Sequence, residues 1–401
     1  MMGGRQVVGG SWLLGQNAGM LEVVVVGAGV FGTWTAHHLH KAGARVTVID
    51  AYGPANSRSS SGDESRILRC GYGPDEIYSS FARRSGEMWQ ELQQRHAGRG
   101  APIWHASGVL WLAAGEDAYT RATKETLVRG GFHIEVLDER ALRVRYPHLR
   151  TDGIGMALFE PDAGVLSARR AVQTLAWELV QSGVRPVRGA VLPLSTVGSI
   201  RALTLSDGSR IAGDAFVFAC GAWLPTLFPD VVGGRIRPTR QVVMYFGPPA
   251  GDRRFGAAHT PAFIDFPGGI YGVPDIDERG LKVGIDAHGP AIDPDTDDRV
   301  PDEASIARAR RWLAMRFPAL ASAPIVEGRV CQYENTSTGD FLIDRHPLHD
   351  NAWIVGGGSG HGFKHGPAVG ELAARLVTTG APTIDRFALA TKDVHVRRSV
   401  Y

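Results

Sequence analysis

The chain has 401 residues, 44% of them apolar and 21% charged, so it is long enough for two or three domains with sizeable cores and is neither a peptide nor a disulfide knot. Lys+Arg 43 against Asp+Glu 41 leaves a net charge of +2, without the strong global field that nucleic acid or an anionic membrane would select. Glycine is in excess, at 51 residues with no collagen period, which places the surplus in turns and in loops that approach a ligand closely.

Residues 1–20 hold one arginine and a short apolar patch, a poor secretory signal. They read as a disordered extension, with Met20 a candidate start. Residues 21–26 are a β-branched apolar run ending at a glycine, the mark of a buried parallel strand. Residues 30–42 fit a helix and Arg45–Asp50 a second strand, which completes a β-α-β unit. A polar loop follows through Gly62. Residues 76–95 and 167–182 read as amphipathic helices. Asp207-Gly208, inside 204–211, signals a hairpin. Residues 215–219 are another buried strand, and the acidic stretch 293–298 a solvated loop. A helix is expected over 302–316, a strand over 325–333, a short strand over 352–355 and a last helix over about 367–378. Nucleotide-binding-type elements lie at the start, middle and end, so the domains interleave.

Gly27, Gly29 and Gly32 form G-x-G-x-x-G directly after a strand and into a helix. The first glycine allows the tight turn, the second lets the backbone reach a pyrophosphate, and the third lets helix and strand pack closely. The helix N-terminus then faces the phosphate charge. Asp50 closes the second strand, where a carboxylate can bind ribose hydroxyls. The acid disfavours NADP and leaves FAD and NAD; none of the nine tyrosines has a lysine four positions later, which removes one NAD class. A glycine-rich turn that only packs a helix on a sheet is the plainer alternative.

The three cysteines, Cys70, Cys220 and Cys331, form no C-x-x-C pair, and no Cys/His spacing suits structural zinc. No metal is expected. A sparse odd set fits a reducing compartment, hence the cytoplasm, and no apolar run approaches a membrane span. Only five lysines occur (Lys41, Lys124, Lys282, Lys364 and Lys392), and two of these stand in apolar or glycine-rich settings.

Four further segments, SSSGDESRILRCGYG at 59–73, IYGVPDIDERGLKVGID at 270–286, CQYENTSTGDFLID at 331–344 and GGGSGHGFKHG at 356–366, join ACGAW at 219–223. With the N-terminal fingerprint they resemble the monomeric sarcosine oxidase family, of the D-amino-acid-oxidase-like flavoproteins, over about 21–390. N-methyl-tryptophan oxidase is a near relative in it. The resemblance implies a mixed α/β (α+β) fold. Its Rossmann-like FAD domain (21–80, 150–235 and 325–395) interleaves with an antiparallel-sheet substrate domain (81–149 and 236–324). It implies a flavin held as a thioether through Cys331 of the C-x-Y-x-x-T run, with Tyr333 and Thr336. An inert buried thiol is the ordinary alternative. It assigns Arg69 and Lys364 to the substrate carboxylate, Tyr271 to the active site, Lys282 to the reaction with oxygen, and Arg66 to the flavin ring. Val30, Phe31, Ser61, Val191, Gly221, Gly358, Gly360, His361, Gly362, Phe363 and Lys364 are counted with the cofactor.

The implied reaction oxidises the C–N bond of a secondary or N-methylated amino acid to an imine, with oxygen reduced to hydrogen peroxide, by a monomer. A dehydrogenase of the same fold and a dinucleotide-binding protein without turnover are the alternatives. Departures from the family bear on the substrate. Ser60-Ser61 stands where sarcosine-active members have histidine before Gly-Asp, and one residue is extra in Gly-Asp-Glu-Ser-Arg. Asp286 stands where a histidine is expected, with His288 two places on. Strand alternation puts 282, 284 and 286 on one face. Asp286 is therefore expected either to pair with Lys282 or to receive a second donor group of the substrate.

Overall fold

The computed structural model describes residues 19–194 and 197–395, so most of the N-terminal extension lies outside the described residues. Strand β1 (Glu22–Val26) is a run of valines that suits a strand covered on both faces. Helix α1 (Val30–Lys41) carries the chain back, and β2 (Arg45–Asp50) pairs parallel with β1. The six-stranded sheet runs Leu342–Arg345, Ala352–Gly356, Ala215–Phe218, β1, β2, Arg185–Arg188. Its strands are parallel except for the edge strand Leu342–Arg345.

A larger, eight-stranded sheet runs Ile325–Thr336, Ile236–Phe246, Leu281–Ile285, Ile270–Val273, Ala262–Asp265, Val109–Ala113, Met156–Glu160, Glu135–Asp138. Only the pair Ala262–Asp265 and Val109–Ala113 is parallel. The protein is thus a mixed α/β fold with several sheets. Strand Ile325–Thr336 pairs inside the larger sheet, and Leu342–Arg345 after it joins the smaller one. Met156–Glu160 also pairs inside the larger sheet, and the chain then passes through Gly164–Ser167, in a three-stranded sheet with Ser65–Leu68 and Trp104–His105, before it reaches Arg185–Arg188 of the six-stranded sheet. The chain changes sheet near residues 160 and 340.

Helices Glu76–Arg95, Ala168–Gln181, Glu303–Arg316 and Gly366–Thr379 lie where their periodicity places them, to within a residue or two. The hairpin about Asp207-Gly208 joins Ala202–Thr204 to Arg210–Ala212. Strand Ile325–Thr336 runs three residues past its expected end, because pairing with the long strand Ile236–Phe246 continues to Thr336 opposite Ile236. Helices Ala118–Arg129 and Glu139–Arg145 were not anticipated, yet each begins behind an aspartate that caps it: Asp117 accepts from Thr120 N and Asp138 from Ala141 N, both at 2.7 Å. No described helix is both long and apolar enough to cross a membrane.

Helix α1 is pressed between the sheet and the last helix at backbone distance. A Cβ on Gly370 would lie 2.5 Å from the Trp34 carbonyl carbon. Gly370→Ala should therefore destabilise by about 1–3 kcal/mol, the scale of overpacking. The sign is opposite to the gain of about 0.5–1 kcal/mol that the same change gives in an open helix. A urea midpoint equal to or above wild type would contradict this packing.

Candidate active site

The glycine turn after β1 is built as the fingerprint requires. Gly27 sits at φ +105° with its N–H on Ile49 O at 2.7 Å, and a Cβ there would stand 2.3 Å from Ala219 O. A Cβ on Gly32 would fall 1.8 Å from Gly27 O, so Gly32 serves packing and does not line the cavity in front of the turn. At the start of α1, Val30 N–H donates to Ser61 Oγ at 3.0 Å. Asp50 accepts from Ala28 N at 2.8 Å, Tyr52 N at 2.8 Å and Gly53 N at 2.6 Å. A carboxylate has about four acceptor positions, so one is left toward the cavity.

Asp50, Val191, Gly29, Ser61, Gly221 and Gly358 line that cavity, and Arg66, Cys331 and Phe363 line it where a second cavity adjoins. Gly27, Val30, Phe31, Gly360 and Gly362 complete the expected set on its wall. Buried Ser60 Oγ faces it without a partner among the described residues. A dinucleotide fits this lining: the Asp50 carboxylate and glycine turn suit a nucleoside, and the N-terminus of α1 with Ser61 suits a diphosphate.

A second cavity adjoins the first. The two share Arg66, Cys331, Tyr333, Gly360 and Phe363. Arg69, Tyr271, Lys282, Asp286 and Lys364 line the second alone. Cys331 thus sits at the junction, its Sγ 4.0 Å from Arg66 Nη2 and 4.0 Å from Ser60 O. The thiols of Cys70 and Cys220 are both pushed far up by burial. His361 and Lys364, counted with the cofactor from the sequence, line only the second cavity. The His361 ring is held by Tyr72 OH at 3.1 Å on Nδ1 and Gly339 O at 3.0 Å on Nε2, which turns it away from the dinucleotide wall.

The charges divide into two groups. Asp63 receives Lys282 Nζ and Arg66 Nη1 on one oxygen, the latter at 2.7 Å, and Tyr245 OH on the other at 2.8 Å. Burial alone would raise this carboxyl, but Lys282 and Arg66 hold it far below the usual range. Burial lowers Lys282, against the pull of Asp63. The expected Lys282–Asp286 pair does not form. Asp63 reaches the ammonium first, from the loop before Ser65–Leu68, and Ser65 O takes a second donor at 3.0 Å.

Arg69 and Lys364 make up the other group. The Arg69 guanidinium lies 4.4 Å from the Tyr72 ring and 4.5 Å from the Trp111 ring, and donates to Gly71 O. Buried Glu160 braces that corner, accepting from Trp111 Nε1 and Cys70 N, each at 2.7 Å. Burial, then Arg69, drives Lys364 well below the ordinary lysine range. Asp286 is raised by burial and opposed by Arg69 and His288. Burial also raises Tyr271, whose hydroxyl meets Tyr333. Sequence reasoning missed Asp63, Tyr245, Glu160 and Glu334. Asp63 stood in a quoted motif, but its partner Lys282 is 219 residues away.

Comparison with known proteins accords with this wall. Residues 22–376 match the family model described as FAD dependent oxidoreductase. Monomeric sarcosine oxidase of Bacillus sp. (strain NS-129) is 32% identical over 90% of this chain and 93% of its own. N-methyl-L-tryptophan oxidase of Salmonella heidelberg (strain SL476) is 29% identical over 91% and 96%. The solved structure of L-proline dehydrogenase from P. horikoshii superposes with a TM-score of 0.79 at 22% identity, over 92% of this chain and 97% of that one, which bears on the fold alone. With its glycine turn, its dinucleotide-shaped wall and these relatives, the chain belongs to the FAD-dependent oxidoreductases of the D-amino-acid-oxidase-like fold.

Proposed function

We propose that this flavoenzyme oxidises the C–N bond of an amino acid with a secondary or N-substituted amine, and that oxygen takes the electrons. The observation that carries the reading is the convergence of Arg69 and Lys364 on the cavity that meets the cofactor wall at Cys331. We assign the six-stranded sheet and its helices to FAD and the eight-stranded sheet to substrate, in a cytoplasmic monomer. The expected boundaries at 150 and 325 move to about 160 and 340, and the one at 80 moves past helix Glu76–Arg95, which packs in the core of the parallel sheet.

When bound, FAD supplies a two-electron acceptor that oxygen can regenerate, with release of hydrogen peroxide. The chain's own residues set the substrate. Arg69, fixed between two aromatic rings, offers a planar fork to a carboxylate, and Lys364 adds a point charge. An arriving carboxylate returns Lys364 toward its protonated form, because it supplies the anion that burial and Arg69 deny it. The same cations favour the uncharged substrate amine. Arg66 and Cys331 flank the junction, where the ring slot and the amine site meet.

Cys331 is proposed to hold the flavin as a thioether. Acid precipitation should leave the yellow colour in the wild-type pellet and none in that of Cys331→Ala; free FAD in the wild-type supernatant would overturn the link. Lys282 is proposed to serve oxygen. Lys282→Met should slow reoxidation about a hundredfold or more, on the ~3–4 kcal/mol scale of one preorganised charge partner, and change anaerobic reduction much less. Equal loss in both half-reactions contradicts the assignment.

Asp286 bears on specificity. It faces the substrate cavity, and Lys282 is already taken by Asp63. A carboxylate there favours a substrate with a cationic or hydrogen-bond-donating group distant from its own carboxylate. Sarcosine has none, so its kcat/KM should fall below that of bulkier or more polar N-substituted amino acids. Asp286→His should move the preference toward sarcosine. Should sarcosine lead a broad panel in wild type, and Asp286→His leave the ranking unchanged, the idea fails.

A further inference from the structure

Glu334 is 8% exposed and lies on the cofactor cavity's wall between two glycine-bearing loops. A Cβ on Gly221 would stand 3.4 Å from its Oε2, and one on Gly358 3.1 Å from its Oε1. The backbone N–H groups of Gly358 and Gly357 approach the carboxyl. Oε2 has no partner among the described residues. A buried carboxyl oxygen without a partner costs a desolvation penalty, and in native structures such a group calls for an explanation.

The position within the cavity narrows what can meet this oxygen. A flavin dinucleotide with its nucleoside toward the fingerprint carboxylate Asp50 and its ring toward Cys331 would carry its diphosphate–ribityl stretch, with oxygen acceptors and hydroxyls, past the loops of Gly221 and Gly358. We propose that Glu334 is a cofactor-binding residue that works as a neutral acid, donating Oε2–H to an oxygen of the diphosphate–ribityl stretch. The inference rests on FAD binding and adds a residue to it.

Charge supports the neutral form. The ionisable groups that face Glu334 are the Cys220 thiol, on the loop after Ala215–Phe218, and beyond that thiol Asp50; neither is a cation. Opposite Glu334 on the paired strand stands Pro238. Burial pushes the carboxyl up to about 7, against the two glycine N–H groups. An anionic diphosphate nearby would raise it further. A rise in pH that removes the proton replaces a donor with an anion beside phosphate, so cofactor affinity should fall.

The test uses Cys331→Ala as parent, so that no covalent link masks affinity, with Glu334→Gln and Glu334→Ala added to it. FAD is titrated at pH 6 and pH 8.5, and bound flavin per chain is measured after gel filtration. The parent should lose about tenfold in affinity between the two pH values. Glu334→Gln, a permanently neutral donor, should match the parent at pH 6 and stay flat. Glu334→Ala should bind weakly at both. An identical pH response in parent and Glu334→Gln, or parent-like binding by Glu334→Ala, overturns the inference and leaves FAD binding intact. Wild type prepared alongside reports on FAD binding itself: wild type without flavin at either pH overturns that reading.

Discussion

Asp63 is the point on which the two cavities depend. One carboxylate, on the loop before Ser65–Leu68, gathers Lys282 from strand Leu281–Ile285, Arg66 from the strand that follows the loop, and Tyr245 from strand Ile236–Phe246. Both Asp63 and Lys282 are almost wholly buried. Removing one partner from such a cluster leaves an uncompensated buried charge, at a cost of about 3–5 kcal/mol. Asp63 offsets one of the two positive charges of Lys282 and Arg66, so that cluster still carries a net positive charge beside the substrate cavity, to which Arg69 adds another. The cluster also fixes how the loop sits on the larger sheet.

The same logic explains why Arg69 needs its setting. Its guanidinium rests on Tyr72 and Trp111, and Trp111 is held in turn by Glu160. Stacking fixes the plane of the fork with little loss of its charge. Tyr72 also reaches His361 and His365, so the loop that carries Lys364 and the strand end that carries Arg69 are braced through one phenol.

Local chemistry made much of the fold readable. Valine runs, amphipathic periods and the glycine turn each act within a few residues, and they placed β1, α1, β2 and four later helices. The pairing of Ile236–Phe246 with Ile325–Thr336 acts at long range and left no local mark. The site divides the same way. Arg69, Lys364, Lys282 and Cys331 were legible through motif resemblance, and they line two cavities that touch. The partner of Lys282 was not legible, because alternation along one strand placed Asp286 near it while Asp63 arrives from another loop. Glu334 stood inside a quoted motif, but its isolation shows only once Gly221 and Gly358 close around it.

The strand that carries Cys331 runs its whole length in the larger sheet, and the chain then enters the smaller sheet at Leu342. This crossing restricts how the molecule can be cut and rebuilt. A segment excised to leave the parallel sheet alone would lose the cysteine, and one excised to leave the larger sheet alone would break at residues 160 and 340. Exchange of modules between relatives at simple linear junctions would sever hydrogen-bonded ladders on both sides. A substitution on the wall of the second cavity, at a single side chain such as Asp286, can instead alter the pocket while every strand keeps its neighbours.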